Sequence, residues 1–243
     1  MRNGELKGIH VSSLKTLEDR CLVRMRGTLT KDLARNKNRI KSFLYFHGIE
    51  MPERFRPMST HWSNRFMNWL RSIELEEYSA KKSLNLIIDE SEHLRLIILD
   101  ATKGIRKLSQ SETYTNQVQL LQGIPGIGIL TAMIILTEIE SINRFDSFDK
   151  LCSFIGFIPT THSSGEKEII GEITHRGNNF LRSAIVESAW FAARMDMALN
   201  KNYHDYCRRM EPNKSIIRIA RKLLNRIRYV LKNNHPYVYS VVK

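Results

Sequence analysis

The sequence predicts a mainly α protein: long coiled-coil helices followed by a helical domain with a helix-hairpin-helix element and a small β-hairpin. Three observations predict it. Apolar residues recur at intervals of three and four along most of the chain. One Pro-Gly turn, IPGIG at residues 124–128, separates two apolar helical stretches. A single segment, KEIIGEIT at residues 167–174, is rich in β-favouring residues and is the candidate hairpin.

Residues 1–72 read as an N-terminal helical region. From Leu22 a seam runs through Met25, Leu29, Leu33, Asn36, Ile40 and Phe43, which defines one face of a long helix over residues 22–44. Its other face carries Arg20, Arg24, Arg26, Lys31, Arg35, Lys37, Arg39 and Lys41 against one acid, Asp32. Such a face either attracts phosphate or is simply solvated. Gly48, Pro52 and Pro57 end the helix. Residues 73–110 then carry a heptad-like seam of Ala80, Leu84, Ile87, Ser91, Leu94, Ile98, Ala101, Ile105 and Leu108. Counted back to Ile73, this is a helix of about 36 residues, roughly 50 Å long. A hairpin with the helix at residues 22–44 and a coiled coil with another molecule account for the seam equally well.

A polar joint at residues 109–115 opens the C-terminal domain, residues 113–243. Beyond the Pro-Gly turn, residues 141–158 read as two short helices separated by Asp146 and Ser147 and stopped by Pro159. A helix from Asn178 to about Met197 buries Leu181, Ile185, Ala189 and Ala192. The last helix, residues 215–232, sets Ile216, Ile219, Ala220, Leu223, Ile227, Val230 and Leu231 against a face of Arg218, Arg221, Lys222, Arg226 and Arg228. No Asp or Glu follows Glu211, so this tail is a second basic surface.

Composition narrows the partners. With 243 residues and 42% hydrophobic content the chain can bury a core. A net charge of +13 and a pI near 9.8 favour a polyanion such as nucleic acid, with an anionic membrane surface as the competing reading. The basic helices have few aromatic anchors, which disfavours the membrane. The longest mainly apolar stretch, residues 127–136, is too short to span a bilayer, and the N-terminus lacks an apolar signal core. The expectation is a cytoplasmic, nucleoid-associated protein. Cys21, Cys152 and Cys207 are far apart, and no two His residues stand four apart on a helix, so no metal ligands are expected.

Two segments bear chemistry. In IPGIG, Pro125 fixes one backbone angle, while Gly126 and Gly128 permit a tight turn and close approach of another chain. The helix starting near Ile129 then offers unpaired N–H groups to an anion, a contact that reads phosphate and not base sequence. A plain turn between two buried helices is the alternative; Ala132 and Ile135 complete the spacing that favours phosphate. The second segment is THSSGEKEIIGEITHRGNNFLR. Ser163 and Ser164 before Gly165 offer a hydroxyl on an open turn, with Lys167, His175, Arg176 and Arg182 near enough in sequence to meet phosphate charge. His175 to Asn179 read as a cap and first turn, with Asn178 placed to help hold a phosphate. On spacing alone a Ser-Ser-Gly turn is more often ordinary than catalytic.

The order of motifs adds more. GIPGIG, then F-x-x-F-D with L-x-x-F-I-G-F-I-P, then the SSG turn, then I-T-H-R-G-N-N-F-L-R resembles the C-terminal transposase domain of the insertion-sequence 110 family, whose relatives include the Piv-like DNA invertases. The likeness covers roughly residues 113–235, and KNRI at residues 37–40 with the coiled coil resembles the family's middle region. The resemblance implies a serine-dependent DNA transposase or site-specific recombinase of an insertion sequence, with Ser164 as nucleophile and Ser163 second. Gly177 and Arg182 match the family's downstream glycine and arginine. It also implies an N-terminal RuvC-like domain binding Mg²⁺, and a structured noncoding guide RNA as a partner in some members. The early acids here, Glu5, Glu18, Asp19 and Asp32, do not form the Asp-x-x-Asp pair of that domain. The expectation is therefore a truncated member that is not autonomously active, with Mg²⁺ only where a RuvC-like domain is supplied elsewhere. Expected partners are DNA and, through the coiled coil, another copy or a full-length transposase. A noncatalytic nucleic-acid-binding remnant is the alternative.

Overall fold

The computed structural model describes residues 9–164 and 167–239, and at residues 59, 161–164 and 167–170 the backbone alone. The described elements are α1 (Leu14–Phe46), α2 (Asn64–Ser72), α3 (Tyr78–Ser109), α4 (Thr115–Gln122), α5 (Ile129–Ile139) and α6 (Phe148–Ile155), then strands β1 (Pro159–Ser164) and β2 (Lys167–Ile173), then α7 (Asn179–Met195), α8 (Met197–Cys207) and α9 (Pro212–Asn233). The fold is mainly α with one small antiparallel hairpin, in agreement with the periodicity. It divides into two compact units, one of residues 24–104 and one joining the chain up to Val23 with the chain from Ile105 onward.

In the unit of residues 24–104, α3 packs on α1 of the same chain. Their polar seam members meet: Asn36 Nδ2 donates to Ser91 Oγ at 3.0 Å and to the Ile87 carbonyl at 2.9 Å. A polar pair at one level of an apolar seam fixes register, because sliding by a turn would leave both groups buried without partners. Around it Ile40, Leu44, Phe55, Phe66, Leu70, Leu84 and Ile88 form the core. Two boundaries differ from the periodicity. α1 starts at Leu14, well before Leu22, and its Met25 is 56% exposed while Val23 is buried. α3 starts at Tyr78 and not at Ile73, because Ile73 caps α2, and Lys81 Nζ closes that helix end by donating to the Arg71 and Ile73 carbonyls.

The second unit has α7, α8 and α9 at its centre, with α5 against α7 and α4 against both α5 and α9. α7 buries Leu181, Ile185, Ala189 and Ala192, the residues its spacing predicts. α9 begins at Pro212, earlier than residue 215, because Pro suits the first helical position, where its missing N–H costs nothing. Asp196 anchors the far side. Almost wholly buried, it accepts from Leu199 N at 2.9 Å, from Arg226 Nη1 at 2.8 Å and from Tyr237 Oη. Burial pushes its carboxyl up, but these three donors outweigh burial and the net direction is down.

The first turns of α1 dock on the C-terminal end of α5. Glu140, at φ +61°, accepts from Ser13 N at 2.9 Å and pairs with His10 Nε2 at 2.7 Å. The Ser13 N–H, with His10 and the neighbouring serines, holds the Glu140 carboxyl well below the usual carboxylate range against the opposing effect of burial. Arg20 Nε donates to the Thr137 carbonyl at 2.8 Å, and Tyr114 Oη to Asp19 at 2.8 Å.

Candidate functional site

The hairpin rises from a braced base. α6 ends at Gly156, φ +89°, whose N–H returns to the Cys152 and Ser153 carbonyls. This left-handed glycine cap stops the helix, and Pro159 instead starts β1. Thr174 N donates to the Ile158 carbonyl at 2.9 Å and closes the hairpin. Arg182 Nη1 donates to the carbonyls of Gly156 (3.2 Å) and Thr174 (2.6 Å), and Nη2 donates to Asn179. The guanidinium that the sequence offers to phosphate thus ties α6, β2 and α7 together.

β1 and β2 pair with Thr161 opposite Ile170, Ser163 opposite Glu168 and Ser164 opposite Lys167. An irregularity between Pro159 and Thr161 marks a bulge beside Gly171, where an added Cβ would lie 2.3 Å from Thr160 Oγ1. The sequence places Ser163 and Ser164 in an open turn; the structure places both at the end of β1. The β-favouring residues of β2 carry the pairing out to Ser164, which leaves only residues 165–166 between the strands. The side chains of Ser163, Ser164 and Lys167 lie outside the described residues, as does Gly165.

At IPGIG the two glycines differ. Gly126, φ +84°, faces inward: a Cβ there would lie 2.4 Å from the Ser188 carbonyl and 3.2 Å from Ala192 N. The close approach that the sequence assigns to another chain is made by α7 of this chain. Gly128 is exposed, with nothing within 4 Å of an added Cβ, and it caps α5 without a side-chain hydrogen bond. The first intrahelical bond runs from Ala132 N to the Gly128 carbonyl at 2.9 Å, so the N–H groups of residues 129–131 have no acceptor within the helix.

The turn before α7 is different. Gly177, φ +109°, lies against Gly156, where a Cβ would sit 2.7 Å from Gly156 N. Asn178 Oδ1 accepts from Leu181 N at 3.0 Å, while its Nδ2 donates to the buried Glu138 at 2.6 Å. Asn178 thus caps this helix end by accepting from one first-turn N–H, that of Leu181. His175 and Arg176 are exposed beside it.

Arg218, Arg221 and Lys222 share one feature that the sequence does not show: they line a cleft of about 1080 Å³ on α9, facing Gly171, Glu172 and Ile173 of β2. Lys214 and Tyr206 join them. Starting the last helix at residue 215 hides Lys214, although Pro212 is a signal for the earlier start. Among the described residues no three His, Cys, Asp or Glu side chains gather to hold a metal ion. No described helix is long and apolar enough to cross a membrane.

Residues 118–205, from α4 through the hairpin into α8, match the model of the transposase IS116/IS110/IS902 family. Similar proteins are insertion-sequence transposases. The transposase of insertion sequence element IS1111A from Coxiella burnetii is 28% identical over 183 residues, 72% of this chain and 47% of that protein. The putative transposase y4qE of Sinorhizobium fredii is 24% identical over 190 residues, 78% of this chain and 44% of that protein. The insertion element IS110 uncharacterized 43.6 kDa protein of Streptomyces coelicolor is 31% identical over 121 residues, 49% of this chain and 29% of that protein. The chain spans about half the length of the first two. Residues 118–205 thus carry the likeness to this transposase family, and the relatives that align over most of the chain are named as transposases.

Proposed function

We propose that the chain acts in transposition of an insertion sequence by breaking and joining DNA through a serine, with Ser164 as the nucleophile and Ser163 second. One observation carries the reading: the family match at residues 118–205 spans the serine hairpin, its braced base and the open start of α5. In the reaction the Ser164 hydroxyl oxygen bonds to phosphorus and gives up its proton to a base, and the phosphodiester bond to the leaving sugar oxygen breaks as that oxygen takes a proton. The serine phosphodiester keeps the bond count, so the reverse attack by a new sugar hydroxyl rejoins the strand without a nucleotide cofactor. Ser164 stands opposite Lys167 in the strand register, which supports Ser164 over Ser163, opposite Glu168. The N–H groups at the start of α5 hold a DNA phosphate and fix register. Leu86, Leu96 and Leu99, exposed on α3, support pairing with a second copy.

The test is a denaturing gel of the full chain incubated with Mg²⁺ and a supercoiled plasmid carrying the element's ends, with and without a full-length relative. The expected result is protein covalently joined to DNA in at least one arm, lost in Ser164→Ala while DNA binding stays within about twofold. Salt-sensitive binding with no adduct in either arm would overturn the serine chemistry and favour a noncatalytic nucleic-acid-binding protein.

A further inference from the structure

We infer that the cleft between α9 and the hairpin is a subsite for one unpaired DNA strand, which rests on the transposase reading above. The cleft's volume, about 1080 Å³, is that of a pocket for a few nucleotide-sized groups and not of a groove that seats a duplex. Its two surfaces differ in chemistry. Half-buried Phe148 and Ile217 supply apolar wall over the buried Phe157, and half-buried Tyr206 adds a ring at the edge. Lys214, Arg218 and Lys222 recur every four residues along α9, so a rise of about 6 Å separates each from the next on one face. A row of cations beside partly exposed rings, here Phe148 and Tyr206, is how proteins hold single strands: the cations track phosphates while the bases stack on the rings.

The details agree with that use. Arg218 lies over the Tyr206 ring at 5.5 Å and Arg221 over the Phe148 ring at 5.9 Å, so cation and ring are already held together on both sides. The acids nearby are Glu172, Glu211 and Asp149. Lys214 pairs with Glu211 at 4.0 Å and Arg221 with Asp149 at 3.5 Å, with both carboxylates largely exposed. Exposed pairs of this kind are weak and yield readily to a phosphate. A paired duplex keeps its bases stacked inside and cannot reach the apolar wall, whereas unpaired bases can. From Pro159 at the cleft to Ser164 the strand rises by about 17 Å, so a seated strand runs on toward the serines past several nucleotides.

The probe is a fluorescent oligothymidine of about twelve nucleotides, compared with a duplex of the same length, titrated against the full chain at fixed salt. Arg218→Ala with Lys222→Ala, and separately Tyr206→Ala, should each weaken oligothymidine binding tenfold or more and duplex binding less than threefold. Tyr206→Phe, which keeps the ring, should bind like the parent. Ultraviolet cross-linking of an iododeoxyuridine oligonucleotide should mark Tyr206 or Phe148. Unchanged oligothymidine binding in the variants, equal loss of duplex binding, or cross-links confined to other residues would overturn the subsite. A tenfold preference for oligouridine RNA would overturn its assignment to DNA. Ser164→Ala should bind oligothymidine like the parent; this readout needs no covalent adduct, so failure of the serine chemistry and failure of the subsite register separately.

Discussion

Two turns in this protein, IPGIG before α5 and THRGNN before α7, each set a glycine just ahead of a helix start, yet the two helix starts are satisfied differently. Each holds a positive-φ glycine packed against its own chain, Gly126 on α7 and Gly177 on Gly156. They part at the N-cap. Gly128 leaves α5 without a side-chain cap, whereas Asn178 satisfies a first-turn N–H of α7 and ties itself to Glu138. α8 gives a third case, capped by the charged and buried Asp196. A helix start binds an outside anion only while its own chain has not supplied the acceptor.

The largest effects should come from the inward glycines. Gly126→Ala and Gly177→Ala each put a Cβ within 2.7 Å or less of backbone at a positive φ, which should cost roughly 3 kcal/mol or more in a urea melt. A loss below about 1 kcal/mol at either would break the claim that these glycines serve packing. Next, Asn178→Ala removes the α7 cap and a donor to buried Glu138, and should cost about 2 kcal/mol with little change in duplex binding. If duplex binding fell in step with stability, the α7 end would be a DNA contact after all.

Gly128→Asp gives the sharpest contrast. Gly128 has an ordinary φ of −95° and open space around it, so aspartate should cap α5 and raise stability by a few tenths of a kcal/mol. The same carboxylate would occupy the phosphate position, and duplex affinity should fall about tenfold. The smallest effect concerns acid. Because the Asp196 carboxyl is depressed in the folded chain, its stabilisation is present above the ordinary carboxylate pKa and lost as pH falls through the folded value. Tyr237→Phe removes one of its donors; stability at neutral pH should drop by about 1 kcal/mol in a urea melt, and the acid-induced loss should be smaller and complete at a higher pH. An unchanged acid profile would show that Tyr237 does not hold Asp196 down.

The helices were legible because their burial follows a 3.6-residue period: Leu181, Ile185, Ala189 and Ala192 are buried as spaced. The boundaries were less so. Nothing local in Ile73 shows that Lys81 will close α2, and Met25 fits the seam by spacing while facing solvent. For the site, sequence order alone carried the family likeness and the serines. It could not separate Gly126 from Gly128, since which glycine meets α7 is settled by packing some sixty residues away along the chain. Nor could it assign Arg182 to the Gly156 and Thr174 carbonyls, because an arginine near a glycine turn has the same local sequence in either role.

The most direct measurement is to digest a protein–DNA reaction with nuclease and protease and to map the nucleotide mass left on the peptide. One nucleotide is expected on the peptide holding Ser163 and Ser164, localised by fragmentation to Ser164 and absent in Ser164→Ala. A nucleotide attached elsewhere, or none on this peptide while DNA strands are exchanged, would contradict Ser164 as the nucleophile.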